Sequence, residues 1–175
     1  MADMVYKTKS AELPECINAG YGKTGYFPQT GMEEMPMEKK NLDWGNIGFS
    51  YMPTDMRYVA DYKDGAWGEG RLTSDSTVVL NECAGILQYC QECFEGLKAY
   101  TTEDGSIVTF RPDLNAERMM DSACRLEMPV FPRERFLKAL DQVVKANAAW
   151  VPPYGSGATL YIRPYMFASG PVIGV

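Results

Sequence analysis

Three groups of residues in this 175-residue chain have the types and spacing to do chemistry. The first is Arg118. A helix is expected to start at Asp113, directly after Pro112, with the aspartate side chain accepting a backbone N–H as N-cap. Arg118 then falls in the first or second turn. Helix N-termini carry partial positive charge and free N–H groups, and they favour phosphate. An arginine fork there adds bidentate, charge-assisted hydrogen bonds. The competing reading, a solvated arginine on an exposed helix face, is the commoner fate for such a pattern. The second group is Tyr161 with Arg163. Alternation along a strand turns both to one side, and a phenol beside a guanidinium suits a carboxylate. An edge-strand pair facing solvent is the alternative.

The third group is Cys90-x-x-Cys93, a spacing shared by redox and zinc sites. If residues 89–100 form a strand, an offset of three puts the two side chains on opposite faces. There is no second C-x-x-C, and the chain has no histidine to complete a tetrahedral site. Two unrelated thiols is the simpler account. The lack of histidine also excludes Ser-His-Asp and Cys-His hydrolase machinery and the H-E-x-x-H metalloprotease pattern within this chain. Gly22-Lys23-Thr24 has the ending of a phosphate-binding loop, but that motif needs a glycine five residues earlier, where Ile17 stands.

The elements that must position these residues read as an α+β domain: an antiparallel β-sheet of about six strands with packed helices. Met56 to Tyr62 reads as a strand, Asp64-Gly65 as a hairpin turn, and Trp67 as the start of the return. The β-branched run Thr77 to Leu80 fits helix or strand equally. Ala99-Tyr100 and Ile107 to Phe110 flank Asp104-Gly105 as a second hairpin. In the helix after Pro112, Met119, Ala123 and Leu126 form an apolar stripe, Arg118, Ser122 and Arg125 share another face, and Pro129 ends the run. Pro132 suits the first turn of a further helix, whose inner side is Phe136, Leu140, Val143 and Ala146. Residues 151–157 break the chain, and Ala158 to Arg163 form a strand with Leu160 and Ile162 on the face opposite Tyr161 and Arg163. Residues 41–175 make one domain, preceded by a loop-rich extension over residues 1–40.

Composition narrows the function classes. The formal net charge is −6, which argues against nucleic acid and against an anionic membrane surface. The first residues lack a basic segment followed by an apolar stretch, so no signal peptide is expected, and no run approaches the 18 or so apolar residues of a membrane span. Five cysteines, an odd number without a secreted disulfide spacing, fit reduced thiols in a cytoplasmic protein.

Read in order, the second half of the chain runs Tyr89, Phe94-Glu95-Gly96-Leu97-Lys98-Ala99-Tyr100, Asp104-Gly105, Phe110-Arg111-Pro112, Asn115-Ala116-Glu117-Arg118-Met119 and Tyr161-Ile162-Arg163-Pro164. This series resembles the N-terminal domain of the branched-chain amino acid aminotransferases, pyridoxal 5′-phosphate enzymes of fold type IV. A looser match covers residues 40–75, around Gly48-Phe49 and Thr54-Asp55-Met56. The resemblance implies that the arginine of the N-x-x-R-M segment, Arg118, binds the cofactor phosphate. It implies that Tyr161 and Arg163 reach the substrate pocket, with the arginine helping to accept the side-chain carboxylate of glutamate. Tyr89, Phe94 and Phe49 correspond to aromatic pocket walls, with core packing as the alternative, and Val175 to a loop that approaches the partner subunit's site.

The implied substrates are branched-chain amino acids, glutamate and 2-oxo acids, and a homodimer is implied as well. The family's Schiff-base lysine lies in a second, C-terminal domain, so Lys98 is not assigned that role and no catalytic residue is expected within this chain. The closing Gly170-Pro171-Val172-Ile173-Gly174-Val175 carries no polar tail, which gives the expectation of a fragment, inactive alone. The competing assignments are another type IV enzyme, a D-amino acid aminotransferase or aminodeoxychorismate lyase, and a non-catalytic binding or assembly module built on the same domain. The segment Phe94 to Tyr100, the N-terminal extension and Tyr161-x-Arg163-Pro164 favour the branched-chain group.

Overall fold

Asp64 and Gly65 both take positive φ, 51° and 81°, the backbone a two-residue hairpin turn demands. The chain reverses there, as the sequence predicts. In the computed structural model, which describes residues 2–4 and 38–171, the elements follow in order. They are β1 (Ala2–Met4), β2 (Arg57–Lys63), β3 (Ala66–Trp67), β4 (Arg71–Thr73), α1 (Gly85–Tyr89), β5 (Glu92–Phe94), β6 (Leu97–Thr101), β7 (Ile107–Thr109), α2 (Pro112–Arg125), α3 (Arg133–Ala146), β8 (Leu160–Ile162) and β9 (Tyr165–Ala168). Short 3-10 turns sit at Trp44–Asn46 and Ala148–Trp150. Val175, Gly22-Lys23-Thr24 and almost all of the expected N-terminal extension lie outside the described residues.

The strands form two sheets rather than one. The larger runs β3-β2-β1-β9-β5, with β4 also on β2; the smaller runs β7-β6-β8. Pairing is antiparallel except at β1, which lies parallel to both β2 and β9. The split has a local cause. Phe94 faces Tyr165 in the larger sheet, and Leu97 faces Ile162 in the smaller. Between those pairs Glu95-Gly96 stands opposite Arg163-Pro164. Proline has no N–H to give the ladder, and the single bond that crosses the gap runs the other way, from Glu95 N–H to the Pro164 carbonyl at 2.9 Å. Two continuous runs of chain thus turn a corner together. The predicted hairpin about Asp104-Gly105 forms as β6 and β7, with Tyr100 opposite Val108, whereas Thr77 to Leu80 is neither helix nor strand.

Two cores fill the sheets' inner sides. Tyr58, Ala60, Cys93, Ala116, Met119, Ala123, Met128, Phe131, Phe136 and Met166 form one; Leu97, Ala99, Leu140, Val144 and Val151 form the other. The α3 helix serves both, with Phe136 in the first core and Leu140 and Val144 a turn or two later in the second. Leu160 and Ile162 pack on the second core, as their alternation predicts.

The start of α2 differs from expectation. Asp113 is not the N-cap. Pro112 occupies the first helical position, where its fixed φ costs no hydrogen bond. Arg111 precedes it in the left-handed region at φ 44°, with no side-chain cap. The Asp113 carboxylate is taken instead by the Arg111 fork, at 2.9 Å from Nε and 2.6 Å from Nη2. The stripe also ends differently. Leu126 is exposed, and its place in the core goes to Met128. The helix stops at Arg125, before Pro129, in a 6→1 and 5→2 closure: Met128 N–H reaches Ala123 O at 2.9 Å and Glu127 N–H reaches Cys124 O at 3.1 Å. Glu127 takes the left-handed φ of 52° that this closure requires. Pro132 is the N-cap of α3 rather than a residue of its first turn. Among the described residues no helix is long and apolar enough to cross a membrane.

Candidate functional site

The corner where the two sheets part gathers most of the residues singled out above. On its helix side, Glu95 projects from the interruption between β5 and β6 towards the second turn of α2. Its carboxylate accepts from Arg118 Nε at 3.1 Å and Nη2 at 2.8 Å, a two-pronged arginine–carboxylate fork. Asn115, one turn earlier on α2 and buried, donates from Nδ2 to Glu95 Oε2 at 2.8 Å and to Gly96 O at 3.2 Å. The two partners differ in exposure: the Glu95 side chain is 12% exposed, that of Arg118 58%. The fork uses the Nε and Nη2 side of the guanidinium. Among the described residues Nη1 makes no hydrogen bond, so the outer edge is open to an anion. The bond from Glu95 raises the Arg118 pKa above its ordinary value, and the cation is permanent at any working pH. These features fit a phosphate group. The charge offered to an anion here is that of the guanidinium; the first turn of α2 already carries the negative Asp113 carboxylate, held by Arg111.

On the strand side, Tyr161 and Arg163 turn to the same face, as their alternation predicts, and meet. Arg163 Nη2 donates to Tyr161 Oη at 2.9 Å. The guanidinium lies over Phe94 at 4.5 Å and over Tyr161 at 5.3 Å, a stacked setting that suits arginine and not lysine. Phe49, 87% exposed, meets the Tyr161 ring edge-on at 5.3 Å and 79°. Behind the hydroxyl stands Gly96. A Cβ there would fall 2.5 Å from Tyr161 Oη, so only glycine leaves room for this ring position.

Two recesses open from this cluster. A cleft of about 640 Å³ is lined by Phe49, Tyr161 and Arg163, and by Met56, Leu160 and Ile162 among other apolar side chains. A smaller recess of about 390 Å³ is lined by Lys98, Tyr100, Phe110, Asn115 and Arg118. Tyr161 borders both. Arg118, Phe94, Tyr161, Arg163 and Phe49 are therefore brought together around one corner. Tyr89 is not; it ends α1, exposed, and lines neither recess.

The Cys90-x-x-Cys93 pair does not sit on one strand. Cys90 follows α1 in the left-handed region at φ 52°, and Cys93 lies in β5. Both are free thiols, one exposed and one buried. Burial, with smaller contributions from Glu92 and Glu95, pushes the Cys93 thiol up to about 11, so it holds its proton at neutral pH. Sequence reasoning gave no role to Glu95, Gly96 or Asn115. The available signal was a charged residue and a glycine interrupting a strand pattern, opposite a proline, which together mark a bend rather than a paired ladder.

No family model matches the chain. Curated relatives do. A branched-chain-amino-acid aminotransferase of Haemophilus influenzae is 57% identical over 136 residues, 78% of this chain and 40% of the relative. A methionine aminotransferase of Arabidopsis thaliana is 47% identical over 135 residues, 77% of this chain and 38% of the relative. Among solved structures, the branched-chain aminotransferase of the archaeon Thermoproteus uzoniensis with norvaline matches at a TM-score of 0.50 and 26% identity, over 69% of this chain and 36% of that one. The chain is thus similar to the branched-chain-amino-acid aminotransferases along most of its own length, and it spans about two fifths of the length of the curated relatives it matches.

Proposed function

We propose that this chain is the N-terminal part of a pyridoxal 5′-phosphate-dependent branched-chain amino acid aminotransferase, moving the amino group of leucine, isoleucine or valine to 2-oxoglutarate. The observation that carries the reading is the corner itself. One arginine with an open edge and a second arginine paired with a phenol lie on either side of Glu95-Gly96, and Tyr161 borders the recess of each.

The cofactor, when bound, supplies the electron sink; the remaining work falls to side chains. Arg118 holds the phosphate through its outer edge. Arg163 and Tyr161 accept the side-chain carboxylate of glutamate or 2-oxoglutarate, and Phe94, packed on the guanidinium, keeps water from one of its faces. The apolar lining of the larger cleft takes the hydrocarbon side chain of the other substrate. This arrangement accounts for two substrates of opposite polarity in one place: an apolar wall with one embedded donor pair. An apolar wall does not count branches, in keeping with a relative at 47% identity being named a methionine aminotransferase. The Schiff-base lysine belongs, in this reading, to a C-terminal domain outside these 175 residues, and a second subunit completes the site of a cytoplasmic homodimer. Tyr89 remains in the proposal as a wall that those additional parts would complete, and Val175 as a residue of the loop that approaches the partner subunit's site.

The test is Arg118→Ala in the intact protein that carries this sequence. Loss of charge-assisted hydrogen bonds of about 1.5–3 kcal/mol each weakens pyridoxal 5′-phosphate binding by roughly one to two orders of magnitude, read by titrating apo-protein. Arg125→Ala, exposed at the far end of α2, leaves the affinity unchanged. Equal losses from both variants, or none from Arg118→Ala, would place the phosphate elsewhere.

A further inference from the structure

We infer that Glu95 is the positioning residue of the anion site: its carboxylate fixes the Arg118 guanidinium so that the Nη1 edge points outward before any phosphate arrives. The inference rests on the reading of Arg118 given above and adds a residue to it.

The physical basis is preorganisation. An arginine side chain carries several freely rotating bonds, and an exposed one samples many directions. Ordering it at the moment of binding subtracts from affinity, and a residue that orders it beforehand returns that loss. Glu95 meets the conditions for such a residue. Its two oxygens engage two different nitrogens of Arg118, which fixes the plane of the fork as well as its position. The carboxylate is itself held, because Asn115 donates to the oxygen that accepts from Arg118 Nη2. The backbone beneath is held too, through the bond from Glu95 N–H to Pro164 O. The Glu95 side chain is largely buried while that of Arg118 is more than half exposed, so the ordered partner is the inner one and the open edge is the outer one. Pro164 follows Arg163 directly, so the same bond ties the orientation of the phosphate arginine to the segment that carries the candidate carboxylate arginine.

One physical effect opposes this. A carboxylate near a phosphate repels it, and if that dominates, removing the charge tightens binding. The two effects have opposite signs in one measurement. The experiment determines, in the intact apo-protein, the ratio of affinities for pyridoxal 5′-phosphate and for pyridoxal, which isolates the phosphate's share. The variants are Glu95→Gln, which keeps the volume and an acceptor for Asn115 but breaks the fork; Arg118→Ala; and the double variant. On the inference, Glu95→Gln lowers the ratio about five- to thirty-fold, the upper value being the release of most of an arginine's rotamer freedom. It leaves pyridoxal affinity in place, and it has no further effect once Arg118 is alanine. A ratio that is unchanged or higher in Glu95→Gln overturns the inference, as does an equal drop in the Arg118→Ala background. Loss of both affinities with a constant ratio overturns it as well, since that marks a purely structural residue. If Arg118→Ala itself leaves the ratio untouched, the phosphate reading falls, and that result is distinct from failure of the Glu95 arm alone.

Discussion

Asn147 closes α3 and is 2% exposed, yet its amide holds a segment 91 residues away. Its Oδ1 accepts from Met56 N–H at 3.0 Å, and its Nδ2 donates to Met56 O at 2.8 Å and to Val143 O at 2.8 Å. The side chain stands in for a neighbouring strand at the point where the segment bearing Phe49 enters β2. In Asn147→Ala, Val143 O keeps a partner, because Asn147 N–H also reaches it at 3.1 Å. Met56 N–H and C=O lose theirs. Two backbone groups stripped of partners at about 1–3 kcal/mol each give a cost of about 2–6 kcal/mol, towards the lower end because Met56 is 37% exposed, and still a large share of the 5–15 kcal/mol typical of a domain. The assay is equilibrium urea unfolding, where the midpoint falls and the slope stays constant. Asn147→Asp tests the geometry further. One oxygen still accepts from Met56 N–H, but the other faces two carbonyl oxygens without a proton to give. Burial beside those acceptors raises the folded-state pKa of the new carboxyl above its unfolded value near 4. The folded variant then binds the extra proton, so its deficit relative to the native chain is smallest below about pH 4 and grows as pH rises towards the raised pKa. An alanine variant within about 0.5 kcal/mol of the native chain, a range ordinary for surface changes, would refute this account of Asn147. So would an aspartate variant whose deficit shrinks with rising pH.

Gly96→Ala sets a Cβ 2.5 Å from Tyr161 Oη and 3.1 Å from its Cζ. The tip of the tyrosine yields at an overpacking cost of about 1–3 kcal/mol, and in the proposed enzyme KM for glutamate rises more than KM for leucine; an equal change for both would separate Tyr161 from carboxylate recognition. Iodoacetamide at pH 8 followed by mass spectrometry should find Cys90 modified while Cys93, buried and with its thiol pushed up to about 11, stays unmodified until denaturant is added; comparable labelling of both in the native state would contradict the burial. The Arg111 fork holds the Asp113 carboxyl below its ordinary range, so the pair contributes stability that is present above the unfolded value near 4 and lost as pH falls through the folded value. Asp113→Asn should accordingly flatten the acid limb of a stability–pH curve, and a limb parallel to that of the native chain would count against the pair.

What the sequence made legible follows from how local each signal is. Asp64-Gly65 sets its hairpin within two residues, Asp104-Gly105 marks the short loop between Thr101 and Ile107, and Tyr161 and Arg163 share a face because alternation on a strand requires it. Leu126 and Asp113 misled for the complementary reason. Spacing places Leu126 on the buried stripe, but a chain-reversing closure at Glu127 lets Met128 take that position from outside the helix. Asp113 has the type of an N-cap, but Arg111 offers it a better partner than a backbone N–H, and Pro112 starts the helix without help. The corner was harder to see because it is a relation between two distant dipeptides. Nothing in Glu95-Gly96 alone says that it faces Arg163-Pro164; the strand register says so, and that register is fixed by Phe94 opposite Tyr165 and Leu97 opposite Ile162. The proline stops the ladder, the glycine admits the tyrosine hydroxyl, and the glutamate side chain turns to α2 and meets Arg118. One interruption in two paired strands thus sets the two arginines on either side of a single bend. For that reason a change at Glu95 or Gly96 is expected to reach the candidate site more sharply than a change of the same size at a position within either sheet.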